Sequence, residues 1–85
     1  MIRMRIRDLL NRLRWHPEED IKDYEITFIH RGAFQDKKTI PAEGIVKILS
    51  SYFTYKEHRE IVVIPFHRIL EIRSRKTGEI IWKKG

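Results

Sequence analysis

The sequence has 85 residues, no cysteine and a formal net charge of +6, with 18 basic and 12 acidic residues. This length predicts a single domain over residues 1–85, and the lack of cysteine excludes disulfides and thiolate-bound zinc. The sequence has no membrane span of roughly 18 apolar residues, and residues 1–7 contain no apolar signal core. We therefore expect a cytoplasmic protein with no membrane partner. Residues 1–14 and 73–85 each carry five basic residues and one acidic residue, which predicts a polyanionic partner, with an ordinary solvated surface as the alternative.

Residues 2–14 predict a helix. Leu9, Leu10 and Leu13, with Ile2 and Ile6, recur at helical spacing and form one apolar stripe. Five arginines flank the stripe on its two sides: Arg3, Arg5, Arg7, Arg12 and Arg14. Their side chains either contact a ligand or extend their aliphatic stems over apolar surface. Pro17 ends the pattern and predicts the first turn of a short helical segment at residues 17–20.

Strands are predicted in the middle of the chain. Residues 24–30 alternate, so that Tyr24, Ile26 and Phe28 share one face. A loop is expected at residues 32–36. A short strand is expected over Lys37 to Ile40, and Pro41 ends it. Residues 45–55 fit either a strand or a helix, because aliphatic side chains there suit both while the aromatic ones favour strand.

The last third predicts three more strands. A polar turn at residues 56–59 precedes the apolar run Ile61 to Ile64, which suits a strand buried on both faces. Residues 69–74 and 80–83 form a hairpin around Thr77-Gly78. The predicted fold is therefore α+β, with an N-terminal helix packed on a curved, mostly antiparallel sheet of five or six strands.

A short internal similarity has an offset of 24 residues. Ile40-Pro41 is followed by Ile45, and Ile64-Pro65 is followed by Ile69 at the same spacing. Because proline cannot donate to a sheet ladder, each copy predicts a strand, a bend and another strand. Chance similarity in an apolar sequence is the alternative.

Two His-Arg pairs, His30-Arg31 and His67-Arg68, follow apolar strands. Histidine exchanges a proton near neutral pH, and the guanidinium fork of arginine matches phosphate oxygens. If the pairs converge, they suit a phosphate monoester or a cyclic phosphate. Otherwise each histidine hydrogen-bonds a nearby backbone group.

Two tryptophans lie beside basic residues: Trp15 follows Arg14 and Trp82 precedes Lys83. Such rings can stack on bases while the charge meets a phosphate, or they can belong to the core. The sequence lacks phosphate-binding glycine loops, metal-ligand spacings and nucleophile elbows, so we predict no cofactor and no metal.

Four segments carry a resemblance to a known family. They are Arg12-Leu13-Arg14-Trp15, His30-Arg31-Gly32-Ala33, Ile64-Pro65-Phe66-His67-Arg68-Ile69 and Gly78-Glu79-Ile80-Ile81-Trp82-Lys83. In this order they resemble the archaeal family of RNA cyclic-group-end recognition domains, nearly end to end. The resemblance implies binding of RNA ends that carry a 2′,3′-cyclic phosphate, in RNA processing or repair, with RNA-processing enzymes as further partners. Two departures are His16, where many relatives have an acid, and Phe34, where archaeal relatives often have proline.

The family pattern implies a set of RNA-binding residues. These are Arg12, Arg14 and Trp15 at the end of the helix, His30 and Arg31 after the second element, and His67, Arg68 and Trp82 near the C-terminus. We expect Arg31 and Arg68 to hold the terminal phosphate and His30 and His67 to donate hydrogen bonds to it. Arg12 and Arg14 then contact the preceding backbone, and Trp15 or Trp82 stacks on the terminal base. We favour an RNA-end binder without catalysis, since a chain this short predicts no deep pocket. One alternative is a metal-independent cyclic phosphodiesterase with His30 and His67 as base and acid. The other is a protein-interaction module that pairs its acidic segment 16–25 and its basic ends with a partner protein.

Overall fold

The computed structural model describes residues 5–84. These residues form one α-helix, α1, and seven strands: α1 Ile6–Trp15, β1 Tyr24–Ile29, β2 Lys37–Pro41, β3 Ile45–Ile48, β4 Tyr52–Glu57, β5 Glu60–Pro65, β6 Ile69–Ser74 and β7 Ile80–Lys83. The strands pair antiparallel in two sheets, with the orders β2-β1-β6-β7 and β3-β4-β5. The predicted α+β class is confirmed, but two sheets replace the single sheet of five or six strands.

The repeated Ile-Pro segments connect the two sheets. Pro41 ends β2 and is followed by a 3₁₀ turn, Ala42–Gly44, which leads into β3. Pro65 ends β5 and is followed by the 3₁₀ turn Phe66–Arg68, which leads into β6. Both prolines have extended backbone angles, with φ of −64° and −61°. The similarity is therefore a structural repeat of strand, bend and strand, and each copy carries the chain from one sheet to the other.

The core lies between the sheets and is covered by α1. Phe28 of β1, Phe53 of β4 and Ile72 of β6 have no exposed surface. Leu10 and Leu13 of α1 are buried against them, which confirms the apolar stripe, while Ile6 and Leu9 are half-buried. The predicted start of the helix at Ile2, and the flanking Arg3, lie outside the described residues. No helix within residues 5–84 is long and apolar enough to cross a membrane.

The segment after α1 differs from the prediction. Pro17 and Glu18 form a turn, and the short helical segment is a 3₁₀ turn at Ile21–Asp23. The Asp20 side chain accepts a hydrogen bond from the Lys22 N–H at 3.0 Å and so caps this turn. A side-chain cap determines where the turn begins here, whereas the prediction placed the start at the proline.

The open choice for residues 45–55 resolves to strands β3 and β4, since Tyr52, Phe53 and Tyr55 pack well on a pleated surface. The prediction that the Ile61 to Ile64 run is buried on both faces is wrong. Ile61 and Val63 are 57% and 55% exposed, because they share the face of β5 that points to solvent, while Ile64 on the opposite face is buried.

We expect Tyr24 to titrate at unusually high pH. Its hydroxyl donates to Oε2 of Glu19 at 2.6 Å, and this bond to a carboxylate raises the pKa of Tyr24 to about 12. The protonated phenol is favoured in the folded state, so this contact stabilises the fold below pH 10 and is lost as the pH rises towards 12. Glu19→Ala should lower the midpoint in an ultraviolet phenolate titration. Tyr24→Phe should remove that phase, and an unchanged midpoint in Glu19→Ala would contradict the assignment.

Candidate functional site

The two His-Arg pairs line one cleft. His30 and Arg31 follow β1, whereas His67 and Arg68 end the turn that precedes β6. Because β1 and β6 are antiparallel neighbours in which Phe28 pairs with Ile69, the end of β1 lies beside the start of β6. The four side chains, with Ile29 and Ile64, surround a cleft of about 460 Å³, which we call the dyad cleft.

The backbone groups around His30 are hydrogen-bonded to other backbone groups and not to the histidine side chains of this cleft. The His30 N–H donates to the carbonyl of Asp36 at 2.8 Å, and its carbonyl accepts from the Ala33 N–H. Gly32, at a φ of +93°, allows this tight loop to close. Among the described residues, no hydrogen bond involves either imidazole, and both side chains are exposed. The alternative, in which each histidine side chain hydrogen-bonds a nearby backbone group, is therefore not what the described residues show.

The ionisable side chains that line the dyad cleft are all basic. Its lining contains two guanidinium groups and two imidazoles, and no Asp or Glu among the described residues. Lys84 holds the Phe66–Arg68 turn and the start of β6 in place. Its ammonium group donates to the His67 carbonyl, and its backbone N–H donates to the Leu70 carbonyl. A cleft with this lining attracts anions, and phosphate oxygens match the guanidinium fork.

The residues at the end of α1 do not line the dyad cleft. Arg14 donates from Nη1 to the Val46 carbonyl at 2.8 Å, which links α1 to β3. Its guanidinium also lies 4.8 Å from the ring centroid of Trp15, whose side chain is 70% exposed. Arg12 is exposed on the same helix. Arg14 therefore has a structural role that sequence reasoning missed, while Trp15 offers an open ring face.

Trp82 lies in a second cleft. It is half-buried against the core and lines a cavity of about 430 Å³ together with Arg5, Arg7 and Phe66. Phe66 and His67 are consecutive in one 3₁₀ turn, so the Trp82 cleft and the dyad cleft both border that turn. Sequence reasoning treated Arg5 and Arg7 only as residues flanking the helix stripe.

A third cavity adjoins the dyad cleft through His30. It measures about 540 Å³, and we call it the His58 cavity; its lining is His30, Lys38, Tyr55, Glu57, His58, Arg59, Glu60 and Val62. His58-Arg59 is a third His-Arg pair in the turn between β4 and β5. The sequence analysis predicted only a polar turn there, although the repeated dipeptide was a usable signal.

An ion pair organises one wall of the His58 cavity. The Lys38 ammonium donates to Oε1 of Glu57 at 2.7 Å, and the Tyr55 hydroxyl donates to Oε2 of Glu57 at 3.1 Å. The hydrogen bond from Lys38 lowers the pKa of Glu57 below its ordinary value, and the same bond raises the pKa of Lys38. Within residues 5–84, no group of three or more His, Cys, Asp or Glu side chains is arranged to hold a metal ion.

Comparisons with known proteins extend over almost the whole chain. The family described as the MJ1316 RNA cyclic group end recognition domain matches residues 4–84. The UPF0248 protein MMP0286 of Methanococcus maripaludis is 48% identical over 79 residues, covering 93% of this chain and 97% of the relative. The UPF0248 protein MJ1316 of Methanocaldococcus jannaschii is 42% identical over 79 residues, covering 93% and 92%. The UPF0248 protein SSO2687 of Saccharolobus solfataricus is 37% identical over 82 residues, covering 96% and 99%. No solved structure matches the chain.

Proposed function

This chain belongs to the family of the MJ1316 RNA cyclic group end recognition domain, and we propose that it binds the phosphate-bearing end of an RNA in the dyad cleft. One observation carries the proposal: two arginines and two histidines, from elements far apart in the sequence, line a single cleft, and none of its lining residues within 5–84 is acidic. The family description supports RNA as the partner. We propose a 2′,3′-cyclic phosphate as the preferred end, in RNA processing or repair alongside RNA-processing enzymes.

The chemistry of the cleft suits a terminal phosphate. Arg31 and Arg68 donate paired N–H groups to the non-bridging oxygens, which gives short, charge-assisted hydrogen bonds. The imidazole N–H groups of His30 and His67 add further hydrogen-bond donors. A 3′-hydroxyl end offers these donors no charge, so the cleft distinguishes the ends of an RNA by their phosphate.

We propose that the nucleotides preceding the end cross the Phe66–Arg68 turn. On its other side Trp82 can stack on a base, while Arg5 and Arg7 meet backbone phosphates. At the end of α1, Arg12 and the stacked pair of Arg14 and Trp15 extend the basic surface. This path assigns the stacking role of Trp82 to a preceding base, since neither tryptophan lines the dyad cleft.

The direct experiment compares three RNAs of one sequence that end in a 2′,3′-cyclic phosphate, a 3′-phosphate or a 3′-hydroxyl. We expect the phosphate-bearing ends to bind more tightly, and the RNA to be recovered unchanged. Equal affinity for all three ends would overturn recognition of the end.

A second candidate function is supported by the presence of both imidazoles in one cleft. One histidine would remove a proton from water as it attacks phosphorus, and the other would protonate the leaving ribose oxygen, which opens the ring to a phosphate monoester. Chromatography of the cyclic RNA after incubation tests this reaction. Ring opening that is lost in both His30→Ala and His67→Ala would establish the phosphodiesterase, whereas unchanged RNA supports binding alone.

RNA binding is expected to depend steeply on salt. Each phosphate contact on a single strand contributes a slope of about −0.7 in a plot of log affinity against log salt. Four or five contacts from the dyad cleft and the Trp82 cleft give a slope of roughly −3. Fluorescence anisotropy of a labelled RNA between low and moderate salt measures this slope. A flat dependence, or no RNA binding, would favour the protein-interaction module instead.

A further inference from the structure

The dyad cleft and the His58 cavity lie along one strand. Alternate residues of β5 lie on the same face of the strand: Glu60 and Val62 line the His58 cavity, and Ile64 lines the dyad cleft. His30 lines both cavities. They therefore form neighbouring compartments, and a ligand held in one can extend past His30 into the other.

The lining of the His58 cavity suits a nucleobase better than a second phosphate. His30 and His58 supply imidazole rings for stacking, and Val62 adds an apolar surface. Lys38 is paired with Glu57, and Glu60 balances the charge of Arg59, so these four side chains offer phosphate no net positive charge, while Glu60 can accept hydrogen bonds from the N–H groups of a base. At about 540 Å³ the cavity lies within the size range of small-molecule sites.

We propose that the His58 cavity takes the terminal nucleobase of the RNA whose end phosphate lies in the dyad cleft. This inference rests on the proposed function. The base and the terminal phosphate are carried by the same ribose, so the terminal base must lie in a compartment next to the dyad cleft, and the His58 cavity shares the lining residue His30 with that cleft.

Glu60 gives the cavity a preference among bases. Glu57 is engaged by Lys38 and Tyr55, so Glu60 is the carboxylate among the described lining residues that is open to a ligand. A carboxylate accepts from the exocyclic amino group of adenine, cytosine or guanine, whereas uracil offers only its ring N3–H, which lies between two carbonyl oxygens that repel a carboxylate. The cavity therefore favours RNAs ending in adenosine, cytidine or guanosine over those ending in uridine.

The test uses small probes whose binding is measured by calorimetry. Adenosine 2′,3′-cyclic phosphate is compared with methyl riboside 2′,3′-cyclic phosphate, which keeps the sugar and the cyclic phosphate but has no base. Stacking of one base predicts about fivefold to hundredfold tighter binding of adenosine 2′,3′-cyclic phosphate. The cytidine and uridine compounds measure the base preference.

Two variants and one control assign the effect to the cavity. His58 has a φ of +57°, so His58→Asn removes the ring with a residue that tolerates this conformation. His58→Asn should reduce the advantage of the adenosine compound and leave the base-free probe unchanged, while Glu60→Gln should remove the preference over uridine. Arg75→Ala changes an exposed arginine that lines neither compartment, and it should alter neither result.

The outcomes separate this inference from the proposed function. Equal binding of the adenosine compound and the base-free probe by the wild-type protein, with both lost in Arg31→Ala, overturns the base site and leaves end recognition standing. A parallel loss of both probes in His58→Asn also overturns the base site. If the wild-type protein binds neither probe, while the RNAs of the first experiment also fail to distinguish their ends, the proposed function fails together with this inference.

Discussion

Replacing Arg31 or Arg68 with alanine is expected to weaken binding of a phosphate-ended RNA about tenfold or more, with a smaller effect on a 3′-hydroxyl end. Removing one charge-assisted hydrogen-bond partner costs roughly 1.5–3 kcal/mol, and each 1.4 kcal/mol corresponds to a tenfold change in affinity. Both arginines are exposed and line the dyad cleft, so their loss should leave the fold intact. Anisotropy titrations with the two RNAs measure the difference.

Lysine substitutions sharpen this test. Arg31→Lys and Arg68→Lys keep the positive charge but lose the planar fork, so an intermediate loss is expected if the guanidinium groups bind the phosphate through paired hydrogen bonds. Arg75→Ala is the matched control, because Arg75 is exposed in the turn between β6 and β7. Equal losses on phosphate and hydroxyl ends would mean that Arg31 and Arg68 contact only the RNA backbone.

The elements predicted correctly from the sequence are those with a local pattern. Leu10 and Leu13 follow the helical period, and both are buried. Alternation around Ile26 and Phe28 predicts β1, and the turn at Gly78, with a φ of +76°, marks the hairpin between β6 and β7. In each case neighbours in the sequence determine the conformation, so one segment is sufficient to predict it.

The elements predicted incorrectly depend on distant partners. An apolar run such as Ile61 to Ile64 does not show whether another sheet covers its outer face, and here Ile61 and Val63 face solvent. The division into two sheets depends on the bends after Pro41 and Pro65. The direction of each bend depends on where the next strand, β3 or β6, pairs with its neighbours. Long-range pairing is not encoded in the period of any one segment.

The candidate site shows the same division. Dipeptide composition and family pattern identified the residues of the dyad cleft, but their convergence follows from the pairing of β1 with β6. The role of His58-Arg59 depends on the position of the turn between β4 and β5 relative to His30, which no local pattern records. The sequence therefore identifies the His-Arg pairs, but only the pairing of the strands shows which of them line the same cavity.

Leu10→Ala and Leu13→Ala are each expected to lower the free energy of unfolding by about 2–5 kcal/mol. Leu10 has no exposed surface and Leu13 is 2% exposed, and both pack in the core against the two sheets. Each truncation removes buried apolar contacts and leaves a cavity that a small core cannot fully close. Because small domains have a total stability of about 5–15 kcal/mol, either change removes a large share of it.

Urea denaturation followed by circular dichroism measures these losses, and Leu9→Ala is the matched control on the same helix. Leu9 is half-buried, so its truncation should have a smaller effect than that of Leu10 or Leu13. The first turn of α1 also places Arg7 at the Trp82 cleft, together with Arg5, which immediately precedes the helix. A loosened α1 should therefore weaken contacts with preceding nucleotides more than contacts with the end phosphate. Losses below about 0.5 kcal/mol at both Leu10 and Leu13 would contradict docking of α1 through this face.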